Sequence, residues 1–269
     1  MKNFFICVII ITTSISLSSQ NAESDLGSKA IDSKSLFVGE DLTYIVKYAF
    51  FNLGEVRFRV VGKTQLNGIS VYKTVANIDS YPGLPFVSLH QEYESYIDSS
   101  FFPLKFFAMI FDDDSVFVEY NFIGKSKIEM RKGNLDESNI WLDSAVFVDE
   151  RMQDGLSILY YTRMNFSEDK KVSIPCFVNE KKETTILNFY NQSEPVTVDA
   201  IDYSVDCLYL DGYTDFVSVY GLTGNFEGWF SNDKYSVPIK AKMNVIIGSI
   251  NLELIKWNSE LWNPPSYKN

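Results

Sequence analysis

The chain is predicted to be mainly β: a single curved antiparallel sheet, an open β-roll or half-barrel, with one principal helix near residues 154–163. Three observations carry this. Runs in which apolar and polar residues alternate recur along most of the 269 residues, which is the period of a strand with one buried face. Turn residues such as Asn67-Gly68 punctuate the runs and supply the positive φ that a tight hairpin needs. One stretch, opening at Asp154, carries helical spacing instead.

The elements follow in chain order. Residues 1–18 read as a signal peptide. Lys2 gives a positive start, Phe4 to Ile11 is charge-free and apolar, and Ser14, Ser16, Ser18 and Ser19 supply small residues for a cut after Ser18 or Ser19. The apolar run is shorter than the about 20 residues a bilayer span needs. Cys7 lies inside that run and not at its end, so it does not suggest lipidation. Residues 19–36 are polar and without periodicity, a flexible leader.

From Phe37 the alternation begins. Leu42, Tyr44, Val46 and Tyr48 interleave with Thr43, Ile45, Lys47 and Ala49, and Val56, Phe58 and Val60 repeat the pattern against Arg57 and Arg59. Further strand-like runs are Val71–Ile78, Glu92–Ile97, Leu104–Phe111, Val116–Tyr120 and Lys125–Met130. Asp154 then caps a helix ending at Arg163, whose charge suits the negative end of the helix dipole. Strands resume at Val172–Val178, Glu183–Tyr190, Asp202–Leu210, Gly224–Ser231, Pro238–Val245 and Ser249–Trp257, the last pair joined by a turn at Ile246-Ile247-Gly248. Residues 258–269, with Pro264-Pro265, form an irregular tail. No repeat or interdomain linker divides residues 37–257, which read as one β-rich domain.

Composition narrows the function. Removing residues 1–18 removes one Lys and no acid, taking the net charge from −11 to −12. So acidic a chain lacks the clustered cations that nucleic acid requires, and anionic lipid repels it. After the signal, no apolar run is long enough for a transmembrane helix. The expected address is export: the periplasm in a two-membrane bacterium, the extracellular space otherwise. The mature chain keeps Cys176 and Cys207. An oxidising compartment invites a disulfide between them, while their apolar strand contexts suit two small buried hydrophobes.

The residues offer little chemistry. His90 is the single histidine, and no Gly-x-Ser-x-Gly elbow accompanies it. No zinc constellation, phosphate-binding loop or dinucleotide fingerprint is present. Asp112-Asp113-Asp114 suits a calcium ion or a charged hairpin tip, and it lacks the Gly and distal Glu of an EF-hand loop. Carboxylate spacing singles out no glycosidase pair. Aromatics make up 15% of the chain; Trp229, Tyr160 and Tyr161 suit either a ligand site or ordinary half-buried packing. The sequence therefore assigns no catalytic residue, no metal ligand, no cofactor and no ligand-contacting residue.

The order of short motifs resembles domain-of-unknown-function family 3108. Val38-Gly39-Glu40-Asp41-Leu42-Thr43-Tyr44 with Leu53-Gly54-Glu55 matches its start, and Glu94-Ser95-Tyr96-Ile97-Asp98 with Pro103-Leu104 its middle. Gln153 to Arg163 follows, then Gly228-Trp229-Phe230-Ser231-Asn232-Asp233, Pro238-Ile239-Lys240 and Gly248-Ser249-Ile250. Gly155 departs from the larger residue usual in the family, and Lys240 from a frequent Arg. The resemblance implies an exported β-rich protein and carries over no catalytic residue. The expected function is a non-enzymatic envelope protein that binds a lipid or other apolar ligand in the concavity of its sheet. Two alternatives are an interaction or scaffold module acting on an envelope protein partner through an edge strand and, more remotely, a carboxylate-based glycosidase.

Overall fold

The structure, a computed structural model, describes residues 36–84, 88–111, 115–166, 168–216, 223–244 and 248–268. The expected signal peptide, nearly all of the leader, the Asp112-Asp113-Asp114 turn and Ile246-Ile247 lie outside them.

The described strands make one 14-stranded antiparallel sheet. Its first half is β1 (Asp41–Tyr48), β2 (Phe51–Leu66), β3 (Ile69–Ser80), β4 (His90–Ile97), β5 (Pro103–Ile110), β6 (Val116–Ile123), β7 (Lys127–Asn134) and β8 (Ile140–Phe147). After the helix α1 (Ser157–Met164) come β9 (Lys170–Val178), β10 (Lys181–Val196), β11 (Val205–Thr214), β12 (Gly224–Ser231), β13 (Pro238–Asn244) and β14 (Ser249–Trp257). Every neighbour in the sheet is a neighbour in sequence except one: β1 pairs with β14, Tyr44 opposite Leu254. The first and last of the described strands thus meet in mid-sheet, and α1 lies in the connection between the two sheet edges, β8 and β9.

The alternation read from sequence sets the two faces. Tyr44, Phe58, Ala76, Tyr93 and Phe106 point inward on successive strands and belong to the larger of two apolar clusters. The smaller cluster gathers Phe166, Leu187, Phe189, Leu210 and Phe230 on the other half. The sheet curves until its two ends meet through side chains, not through edge-to-edge backbone pairing. Tyr120 of β6 packs edge-on against Phe177 of β9 at 5.0 Å, and Lys132 of β7 pairs with Glu180 at 3.2 Å. The open roll expected from the residues is what forms.

Hairpin chemistry explains the turns. Asn67 and Gly68 hold φ of 51° and 78° between β2 and β3, the left-handed pair that matches strand twist. Gly54 serves a different need: a Cβ there would lie 2.1 Å from the Asp79 carbonyl oxygen, so only glycine lets β2 approach β3 so closely.

Three differences from the sequence reading stand out. β8 was not anticipated, because Ile140–Phe147 is only partly buried and shows no clean alternation. The helix runs Ser157–Met164, three residues later at its start than expected. The tail is irregular yet anchored: Trp262 is buried, its indole N–H donates to Asp233 Oδ2 at 2.7 Å, and Ser266 bridges to Val205.

Candidate functional site

The helix divides the concave side of the sheet. Leu156, Tyr160 and Arg163 are fully buried, and the two apolar residues of the three join the larger core. A second face, with Gly155, Ile158, Leu159 and Thr162, borders a cavity of about 380 Å³. The sheet closes it with Val46, Val56 and Phe58 on one flank and Leu187, Leu210 and Phe226 on the other. Its lining also includes Leu53, Ser80, Leu89, Phe216, Gly224, Asn244 and Ile250. These residues stand at one end of the sheet, where the β1–β2, β3–β4, β11–β12 and β13–β14 connections lie.

The exposed surface of this space is almost wholly apolar, and its one fully buried acid is held by hydrogen bonds. Asp154 is fully buried. Its Oδ1 accepts from the backbone N–H of Leu156 at 2.7 Å and of Ser157 at 2.6 Å, and its Oδ2 accepts from Ser95 Oγ at 2.6 Å. Ser157 Oγ in turn accepts from the Asp154 N–H at 2.9 Å, a reciprocal cap of the helix start. Burial outweighs these hydrogen bonds and raises the Asp154 carboxyl to about 6. Cys176 also lines the cavity, with burial pushing its thiol up to about 12. It contacts Thr185 Oγ1 at 3.6 Å and is an unreactive packing residue. Cys207 is likewise free and buried, so the structure takes the packing reading of the pair.

At the far end of α1 lies an interaction the sequence did not disclose. The Arg163 guanidinium forks onto both Glu40 oxygens at 2.6 Å each, with both residues fully buried. Its Nε donates to the carbonyls of Tyr235 and Ser236 at 3.2 Å. One side chain thus ties the helix, the entry to β1 and the β12–β13 turn together. A basic residue in the last helical turn was visible; its partner, over 100 residues away, was not. Glu40 and Asp154 are the two fully buried acids among the described residues, and they sit in these separate networks.

The other candidate residues lie away from the cavity. His90 opens β4 and contacts Asp79 with its Nδ1, its side chain 65% exposed. Trp229 packs at a tilt against Tyr209, ring centroids 5.4 Å apart, and its indole donates to Glu194. Tyr160 lies under Arg163, and Tyr161 packs on Phe102 at 5.2 Å. None of these four borders the cavity. Among the described residues, no group of three His, Cys, Asp or Glu side chains is placed to hold a metal ion.

A second depression, larger at about 920 Å³, crosses the outer face of β1, β2 and β3. It is a polar groove in which Arg57 pairs with Asp41, Arg59 Nη2 donates to Asn77 Oδ1 and Asn77 Nδ2 donates to Glu92, while the buried Arg59 Nε has no partner among the described residues. Size favours this groove. The apolar cavity is the candidate for an apolar ligand, because its walls are almost wholly hydrocarbon.

Comparison with known proteins agrees with this architecture. The DUF3108 family model, a protein of unknown function, matches residues 43–255. No curated protein matches the sequence. Among solved structures, the chain is similar to a β-barrel-like protein of domain of unknown function DUF1849 from Brucella abortus, with a TM-score of 0.52 and 9% identity over 82% of this chain and 97% of that one. Weaker likenesses are to a protein from Bacteroides fragilis described as exported, with a YmcC-like fold (TM-score 0.40, 8% identity, 85% and 99% covered), and to one from Parabacteroides distasonis described as a lipoprotein (0.35, 10%, 82% and 96%). Among the described residues, no helix is long and apolar enough to cross a membrane.

Proposed function

The chain belongs to the DUF3108 family, and on that footing we propose that it is a non-enzymatic binding protein that holds a single apolar chain between α1 and the sheet. One observation carries the reading. The cavity of about 380 Å³ lies within the size range of ligand sites and has apolar walls. Walls of this kind gain dispersion contacts from a hydrocarbon and offer water few hydrogen bonds. The ligand class is therefore a lipid acyl chain or a similarly slender apolar molecule, and the site of action is the cell envelope after export. The charged start and apolar run of residues 2–11 support export.

Uptake of a naturally fluorescent polyene fatty acid tests the reading. The protein should enhance its emission at one site per chain. Ala241→Trp, which fills the cavity from β13, should abolish the enhancement while leaving the circular dichroism spectrum unchanged. Emission equal to that of free probe would sink the proposal.

A second reading rests on β8. It is a sheet edge whose other side carries no strand among the described residues, and Trp141 and Phe147 are exposed on it. Such an edge suits addition of a partner strand. A proline at Ala145 should abolish any association made this way and leave fatty-acid uptake intact.

A further inference from the structure

The β1–β2 hairpin ends in a feature that folding does not explain. Tyr48 pairs with Phe51, so Ala49 and Phe50 form a two-residue turn. Phe50 is 99% exposed and Phe51 64% exposed. Ala49 holds a φ of 48°, a left-handed conformation that a Cβ penalises. The β2–β3 hairpin solves the same geometric problem with Asn67-Gly68, which adopts it readily. The β1–β2 turn thus accepts backbone strain and presents a bare aromatic ring to solvent. Strain and apolar exposure at one point together mark a working surface.

We propose that this tip, Ala49-Phe50-Phe51, docks the protein on a lipid bilayer beside the mouth of its cavity. Three observations select a bilayer. The tip is a narrow convex point, far smaller than the patch of about 800 Å² that each partner of a stable protein pair contributes; aromatic rings on such points settle into the interfacial layer of a membrane. Residues 48–54 carry no charge in a strongly acidic chain, and the neighbouring Lys47 is occupied by Asp199 at 2.9 Å and Glu253 at 2.6 Å. The contact is therefore apolar and suits zwitterionic lipid. Finally, Val46, Leu53 and Gly54 of the same hairpin line the cavity, so a bilayer touching the tip lies against the end by which an acyl chain would enter. This last point rests on the proposed ligand reading; the docking itself does not.

The test uses protein recovered from the exported fraction, phosphatidylcholine vesicles, and the double variant Phe50→Ser/Phe51→Ser. Both side chains are largely in water, so the variant should keep the parent's thermal unfolding midpoint. The parent should co-sediment with the vesicles, and the variant should bind about tenfold more weakly or worse, as loss of two membrane-buried rings requires. Uptake of the fluorescent fatty acid from free solution should be equal in both. Equal sedimentation of parent and variant, or no sedimentation of the parent, overturns the docking. Sedimentation that depends on the tip, without fatty-acid uptake by either protein, upholds the docking and overturns the ligand reading.

Discussion

The two flanks of α1 solve opposite problems. At its C-terminal end a buried charge is matched: Arg163 meets Glu40 and two backbone carbonyls inside the protein. Along its other flank Ile158 and Leu159 line the apolar cavity. The contrast teaches where this protein places its rigidity. A paired buried charge fixes the helix in one position, since any slip strands a charge in a dry interior. The fixed helix can then hold an apolar wall open.

The sharpest way to break this comparison is to unpair the buried charge. Arg163→Met leaves Glu40 buried alone and should cost about 3–5 kcal/mol, seen as a large fall in the urea midpoint at unchanged slope. Replacing both residues with Met should recover most of that loss. A single-variant cost no larger than that of a surface change would mean that the pair does not anchor the helix.

Next comes the pH dependence of the Asp154 cap. Its folded value of about 6 stands above the ordinary 3.8. Between these values the native chain binds more protons than the unfolded chain. Stability from this group is therefore full below about pH 4 and falls as pH rises through about 6, by about 3 kcal/mol. Asp154→Asn keeps an acceptor for the helix amides and should flatten this slope in urea titrations at several pH values. A variant slope matching the parent's would assign the dependence elsewhere.

Filling the open flank should have a smaller effect of the opposite sign. Ala241→Leu adds apolar atoms inside the cavity and should stabilise by about 1 kcal/mol while weakening fatty-acid uptake. Calorimetry and fluorescence read the two effects. The smallest change belongs to the outer groove, where Arg57→Ala breaks a half-exposed pair with Asp41 and should cost less than about 1 kcal/mol.

Much of the fold was legible because inward and outward residues alternate with little interruption. β12 and β14 were read to the residue, and Asn67-Gly68 located a hairpin without reference to anything distant. What the sequence withheld is long-range. Nothing local to Glu40 points to Arg163, and nothing in β1 says that its second neighbour is β14. β8 escaped because an edge strand with a poorly buried face has no strong alternation to display. The expectation of a concave apolar site followed from curvature and composition, but its lining could not be named: it is assembled from ten strands and a helix, and its apolar residues look like ordinary core.

The pairing of β1 with β14 also bears on how the molecule comes to exist. During synthesis or export the first strand emerges with one neighbour, β2, and an open edge on its other side. That edge stays unsatisfied until the last strand of the sheet arrives, when Leu42 can meet Trp257. Closure of so large a loop is slow, and an unpaired edge is exposed to aggregation meanwhile. In a chain built this way, the free edge of β1 is the part most exposed to wrong pairing before β14 is in place.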